Sequence, residues 1–323
     1  MKLHLNNLLV LLSMASNLCL FADARFANVT ICESTSSYNY DSGDTSDATT
    51  IISIDEAPWI QLDLSGTNLA AGAKLTIAGK TASQVITSDD LSLNDFSAVF
   101  DGSSVSVELS SAETEAEGLR GGKSSKSKSP STSTSRVVVS SVNAGRCKYE
   151  DEEIVGESIC GDNDDRGPST DVRIGRIGGC TGWLISENVF IQAGHCGTPS
   201  SSTRIHFVYG TVSADPKDQY AVDISTYQGV NGGVGNDWGA GRLLPNSITG
   251  KFPGIAQSEK CGTPGCGWLN LGSVPSGTSG NNVRITGYGT AEVDSRSQKT
   301  HVGALVSIGL TSLAYIPDTT VSS

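Results

Sequence analysis

Histidine is scarce in this chain, with four copies in 323 residues, and no long apolar run occurs anywhere. The second absence excludes a membrane-spanning helix, which needs about twenty consecutive apolar residues. Basic residues are also short: 22 Lys and Arg stand against 34 Asp and Glu, a formal net charge of -12. Phosphate backbones bind basic faces, so nucleic acid is excluded as a partner. No residue cluster with metal-ligand spacing and no phosphate-binding glycine loop is present, so neither a metal nor a cofactor is expected. The second half of the chain also lacks a helical run of ordinary length.

What is there in quantity is Gly, Ser and Thr between short apolar segments, the composition of an all-β protein with many turns. The length allows two domains, each burying its own core. Residues 1–24, MKLHLNNLLVLLSMASNLCLFADA, carry Lys2, an apolar run from Leu8 to Leu12 and a small-x-small end at Ala22-Asp23-Ala24. That pattern is a cleaved secretory signal, so the chain is expected outside the cell. An oxidising compartment makes disulfides the default for Cys32, Cys147, Cys160, Cys180, Cys196, Cys261 and Cys266. Seven is odd, so one lacks a partner within the chain. Cys261 and Cys266, five positions apart, are expected to close a local loop. Asn28-Val29-Thr30 is a glycosylation sequon at Asn28.

Residues 25–112 read as short alternating strands separated by Gly- and Asp-rich turns, among them TTIISI, WIQLDLSG, KLTIAG and SVSVELSS. A small antiparallel sandwich follows. No histidine lies between Phe26 and Glu117, so this is a propeptide or accessory domain rather than a reaction centre. Residues 113–146 open with a run almost free of apolar side chains, read as a linker. Arg120, Arg136 and Arg146 are candidate processing points. From 147 to 323 strands resume as WLIS, VFIQA, RIHFVYG, YAVDIST, WGAGRLL, VRITGYG and ALVSIGL, at the spacing of a barrel.

Chemistry concentrates in CTGWLISENVFIQAGHC, residues 180–196. A disulfide between Cys180 and Cys196 would pin His195 at the end of a hairpin, and imidazole is the side chain best suited to exchange protons near neutral pH. His4 belongs to the signal, and His206 sits in a strand pattern without catalytic context. An orienting carboxylate is needed to accept the ring N–H. Asp237, in GVGNDWGAGRLL, has the more specific context; Asp223, in YAVDIST, competes.

CTGWLISENVFIQAGHC resembles the histidine loop of the chymotrypsin-like serine peptidases, with Gln192 in place of the common Thr. NDWGAGRL resembles that family's D-[WY]-A segment and VRITGYGT its V-x-G-[WY]-G strand. SICGDNDDR and SQKTHVGALVSI resemble segments of the bacterial glutamyl-endopeptidase-like branch. The resemblance covers about half the chain, from near Cys160 onward. It implies a two-barrel fold, incomplete here, a Cys180–Cys196 disulfide, and a trypsin-like zymogen that is secreted, monomeric and hydrolyses protein or peptide substrates. His195 would be the general base and Asp237 its orienter. The D-T/S-rich run that leads into that branch's serine motif is matched by Asp318-Thr319-Thr320-Val321-Ser322-Ser323, but neither Ser322 nor Ser323 precedes the glycine that builds an oxyanion hole, so no nucleophile is assigned. Ile177, within Arg176-Ile177-Gly178-Gly179, resembles an activation site but stands too close to Cys180, and reads as a barrel strand residue. Two other readings remain open: an inactive homologue that binds a protein partner, and a β-rich adhesive or carbohydrate-binding protein.

Overall fold

The structure is a computed structural model and describes residues 33–111, 134–145, 166–207, 215–233, 235–288, 297–309 and 313–315. Residues 1–24, read from sequence as a secretory signal, and Asn28, Cys32, Arg120, Arg146, Cys147, Cys160, Ser322 and Ser323 lie outside them. The protein is all-β. Its N-terminal part is built from eight strands: β1 (Glu33–Asp41), β2 (Ala48–Ser53), β3 (Trp59–Asp63), β4 (Lys74–Ala78), β5 (Ser83–Ile86), β6 (Phe100–Asp101), β7 (Ser104–Ser110) and β8 (Val138–Gly145). They form two antiparallel four-stranded sheets, in the orders β1-β8-β3-β6 and β2-β7-β4-β5.

Period-two patterning explains why these sheets pack face to face. In β7 the residues Val105, Val107 and Leu109 are buried while their neighbours point out, and Leu75 and Ile77 of β4 do the same beside them. Ile60 and Leu62 of β3 with Val139, Val142 and Ala144 of β8 supply the opposing face of one shared core. A short helix, α1 (Ser88–Leu93), starts at Thr87, whose side chain and that of Asp90 cap each other's backbone N–H.

One boundary read from sequence needs correction. Residues 138–145 are not linker: β8 is an interior strand, paired with β1 on one side and β3 on the other. Its VVSSVNAG pattern buries every apolar residue but Val138, a gain that outweighs the polar stretch preceding it. Arg136 is likewise poorly placed as a processing point. Its backbone exchanges two hydrogen bonds with Asn68, both 2.8 Å, and its guanidinium pairs with Asp41. That hydrogen bond, with one from the Gly43 backbone, holds the Asp41 carboxyl down at about 2.

The second part contains a closed barrel of six strands: β10 (Ile174–Ile177), β11 (Cys180–Leu184), β12 (Val189–Gln192), β13 (Arg204–Phe207), β14 (Gln219–Asn231) and β15 (Asp237–Leu243), in the order β10-β11-β12-β15-β14-β13. Ile177, Leu184, Phe190, Ile205, Phe207, Tyr220, Val222 and Leu243 fill it. Closure removes the edges that a six-stranded open sheet would present. A helix, α2 (Pro253–Cys261), follows the barrel, with Pro253 in its first turn and Gly262 ending it at φ 77°. The Cys261–Cys266 disulfide is present just beyond.

A further sheet, β16 (Asn282–Tyr288), β17 (Gln298–Ile308) and β18 (Leu313–Tyr315), is joined by β9 (Gly167–Pro168) along β17. It is tied to the barrel by polar contacts: Trp183 Nε1 donates to the Thr286 carbonyl at 3.1 Å, and the Tyr288 N–H donates to Thr181 Oγ1 at 2.8 Å. Among the described residues, no helix is long and apolar enough to cross a membrane.

Candidate active site

Three pieces of backbone converge on His195. The first is its own 3₁₀ turn, Gly194–Cys196, which follows β12 directly. The second is the mouth of the β14–β15 hairpin, where Asn231 pairs with Asp237 and Val230 with Trp238. The third is β11, through the Cys180–Cys196 disulfide. That bond ties the residue after His195 to the start of β11, so the turn cannot swing away from the barrel.

Gly194 is what lets the turn and hairpin touch. A Cβ there would lie 2.0 Å from the Val230 carbonyl oxygen and 2.8 Å from the Trp238 nitrogen. Having no side chain, Gly194 permits backbone-to-backbone contact. This contact delivers Asp237 to the imidazole.

Asp237 uses both carboxylate oxygens on one residue. Oδ2 lies 2.6 Å from His195 Nδ1, and Oδ1 accepts the His195 backbone N–H at 2.7 Å. A carboxylate can only accept here, so Nδ1 carries the proton and the neutral ring has its basic lone pair on Nε2. The second bond locks the carboxylate plane relative to the ring. Both side chains are about one-fifth exposed, His195 at 22% and Asp237 at 23%, open enough for a reacting group to approach. The competing acid is engaged elsewhere. Asp223 accepts from the Ser225 hydroxyl at 2.6 Å and the Ser225 N–H at 3.2 Å, a local turn that closes on itself.

Gln192 and Tyr227 brace the far side of the turn. Gln192 Nε2 donates to the Gly197 carbonyl and to the Tyr227 hydroxyl, both at 3.0 Å, and that hydroxyl donates to Gly197 O at 3.1 Å. Gln192 is buried, and Tyr227 stacks on Phe190 with ring centroids 6.4 Å apart. The hydroxyl needs room beside β15, which Gly239 provides: a Cβ there would sit 2.2 Å from it. Sequence reasoning noted Gln192 as a departure but did not find Tyr227. The signal was the paired glycines of WGAGRL, whose missing side chains leave space for a ring.

Cys180, His195 and Cys196 place their ligand atoms within 4.8 Å of one another. Both sulfurs are spent in the disulfide, and metal ligation by cysteine needs the thiolate. The cluster therefore holds the histidine rather than an ion. Elsewhere, Ile177 lies in β10 with its side chain buried, as a barrel residue. His206 lies in β13 opposite Gln219, away from Asp237.

No family model matches the chain, and no curated protein matches it.

Proposed function

We propose that the barrel is the histidine-bearing lobe of a secreted serine endopeptidase of the chymotrypsin-like type. The observation that carries this reading is the two-point grip of Asp237 on His195, which fixes both the tautomer and the ring plane. In this scheme His195 Nε2 takes the proton from a serine hydroxyl as its oxygen attacks the scissile carbonyl carbon. Nε2 then returns that proton to the departing amine nitrogen. Asp237 stays ionised throughout and stabilises the imidazolium through Nδ1–H. No serine among the described residues is assigned as the attacking group.

Secretion is part of the same proposal. The N-terminal leader pattern supports it, as do two disulfides, which persist in oxidising compartments. Substrate is protein or peptide, and the protein acts as a monomer.

The test is a serine-directed fluorophosphonate probe applied to the natural gene product, alongside hydrolysis of a denatured protein substrate. Labelling and hydrolysis are expected, and His195→Ala should abolish both while secretion is unchanged. A natural product that neither labels nor hydrolyses would make the barrel a binding module instead.

A further inference from the structure

The N-terminal sandwich does not hang beside the barrel; polar side chains from both parts are buried between them. Arg204, at the start of β13, is only 7% exposed. Its Nη1 donates to the carbonyls of Ser201 (3.0 Å) and Thr203 (3.1 Å) in its own turn. Its Nη2 crosses to the sandwich, reaching Asn94 Oδ1 at 2.8 Å, Phe96 O at 2.6 Å and Ser97 O at 3.1 Å. Burial pulls the guanidinium down to about 9, so it is still a cation at neutral pH. A charge removed from water is tolerated only where its hydrogen-bond capacity is met.

Other contacts repeat the theme. Gln219, buried at the start of β14, pairs with Val99 in both directions: Oε1 accepts the Val99 N–H and Nε2 donates to the Val99 carbonyl, each at 2.8 Å. Gln61 Nε2 donates to Ser202 O and Asn94 Nδ2 to Ser201 O, both at 2.9 Å. Gln84 Nε2 meets the Ser247 hydroxyl at 2.9 Å. The segment between α1 and β6 is irregular, and its main-chain groups need partners that no ladder provides. The barrel's side chains serve Phe96, Ser97 and Val99.

We propose that the barrel face formed by Arg204, Gln219 and the 200–203 turn is a dedicated docking surface for the chain's own sandwich, which stays bound as a subunit after the connection between residues 145 and 166 is cut. Among the described residues, the last strand of the sandwich, β8, ends at Gly145. The docking site also leaves the histidine accessible. With the sandwich seated, the His195 side chain keeps 22% of its surface exposed, and Asn231, paired with Asp237, stands at the opposite end of β14 from Gln219. The sandwich is thus a lasting support rather than a cover over His195. This holds whether or not the barrel is a peptidase.

The test inserts a specific protease site between Cys147 and Cys160 in the full chain, with Cys160→Ser so that no disulfide spans the cut. After folding and cutting, the two pieces should co-elute in size exclusion at micromolar concentration. Arg204→Gln should weaken their association about a hundredfold, because truncating one partner of a buried charged contact is among the larger interface losses. Asn94→Ala, which leaves the barrel sequence untouched, should weaken it about tenfold and serves if the arginine variant does not fold. Separation of the unmutated pieces at micromolar concentration would overturn the proposal. So would Asn94→Ala and any folded Arg204→Gln protein holding together as tightly as the parent.

Discussion

Replacing Asp237 by Asn tests the site at the level of a single proton. The amide keeps the size of the carboxylate but only one acceptor. Two orientations compete. In one, the amide oxygen accepts the His195 backbone N–H and the NH₂ faces ring Nδ1; in the other these are exchanged. The backbone N–H has no alternative form, so the second orientation sets donor against donor and costs about 1–3 kcal/mol. The ring does have an alternative, because it can move its proton to Nε2 and accept at Nδ1. The first orientation therefore wins. Nε2, now protonated, no longer serves as the base, and under the proposed peptidase mechanism the fall in kcat/KM of the natural gene product should be about 10⁴-fold, or roughly 5.4 kcal/mol of barrier. Folding stability should change by no more than about 1 kcal/mol, since both contacts to His195 are kept in altered form. Two assays separate the claims: ¹⁵N chemical shifts of the His195 ring report the tautomer, and peptide hydrolysis reports the rate. A variant ring still protonated at Nδ1, with turnover within tenfold of the parent, would refute the reasoning.

Gly194→Ala drives a methyl group into the Val230 carbonyl; it should lower stability by about 1–3 kcal/mol, seen as a reduced midpoint in urea, and an unchanged midpoint would show that the hairpin yields freely. Replacing Cys180 and Cys196 together by Ser removes a cross-link over a separation of 16 residues, for an expected loss of about 3 kcal/mol in chemical unfolding. Asp171 offers a test with pH. Its partial burial would by itself raise the carboxyl, but hydrogen bonds from the Arg173 side chain and backbone hold it below the ordinary value. A carboxyl depressed in the folded state adds stability above its unfolded value, about 4, and loses it as pH falls through the folded one. Asp171→Asn should therefore flatten the acid side of the stability curve, measured by urea unfolding across pH 2 to 6; an unchanged acid limb would count against this linkage.

Legibility from sequence followed how local the cause was. Strand β7, SVSVELS, alternates without interruption and declares its buried face. Strand β1, ESTSSYNYD, is an edge strand in which only Tyr38 and Tyr40 bring apolar surface to the core, an alternation too short to stand out in the sequence. β8 was hidden for another reason: it follows a polar run, and only its position between β1 and β3 explains its burial. His195 and Asp237 stood out because proton transfer demands particular residue types in compact surroundings. Arg204 did not, since its burial depends on carbonyls more than a hundred positions earlier in the chain. An isolated RIHF segment reads as an ordinary strand.

The late return of β8 governs how the N-terminal part can be made. Glu33 is paired with Gly145, so during synthesis the first strand must wait for almost the whole of this domain to leave the ribosome before its sheet closes. Until then β1 and β3 each present an unpaired border, the condition in which nascent chains associate wrongly. A break between residues 111 and 134 would leave β8 on a separate piece of chain, whose place in the fold is the slot between β1 and β3.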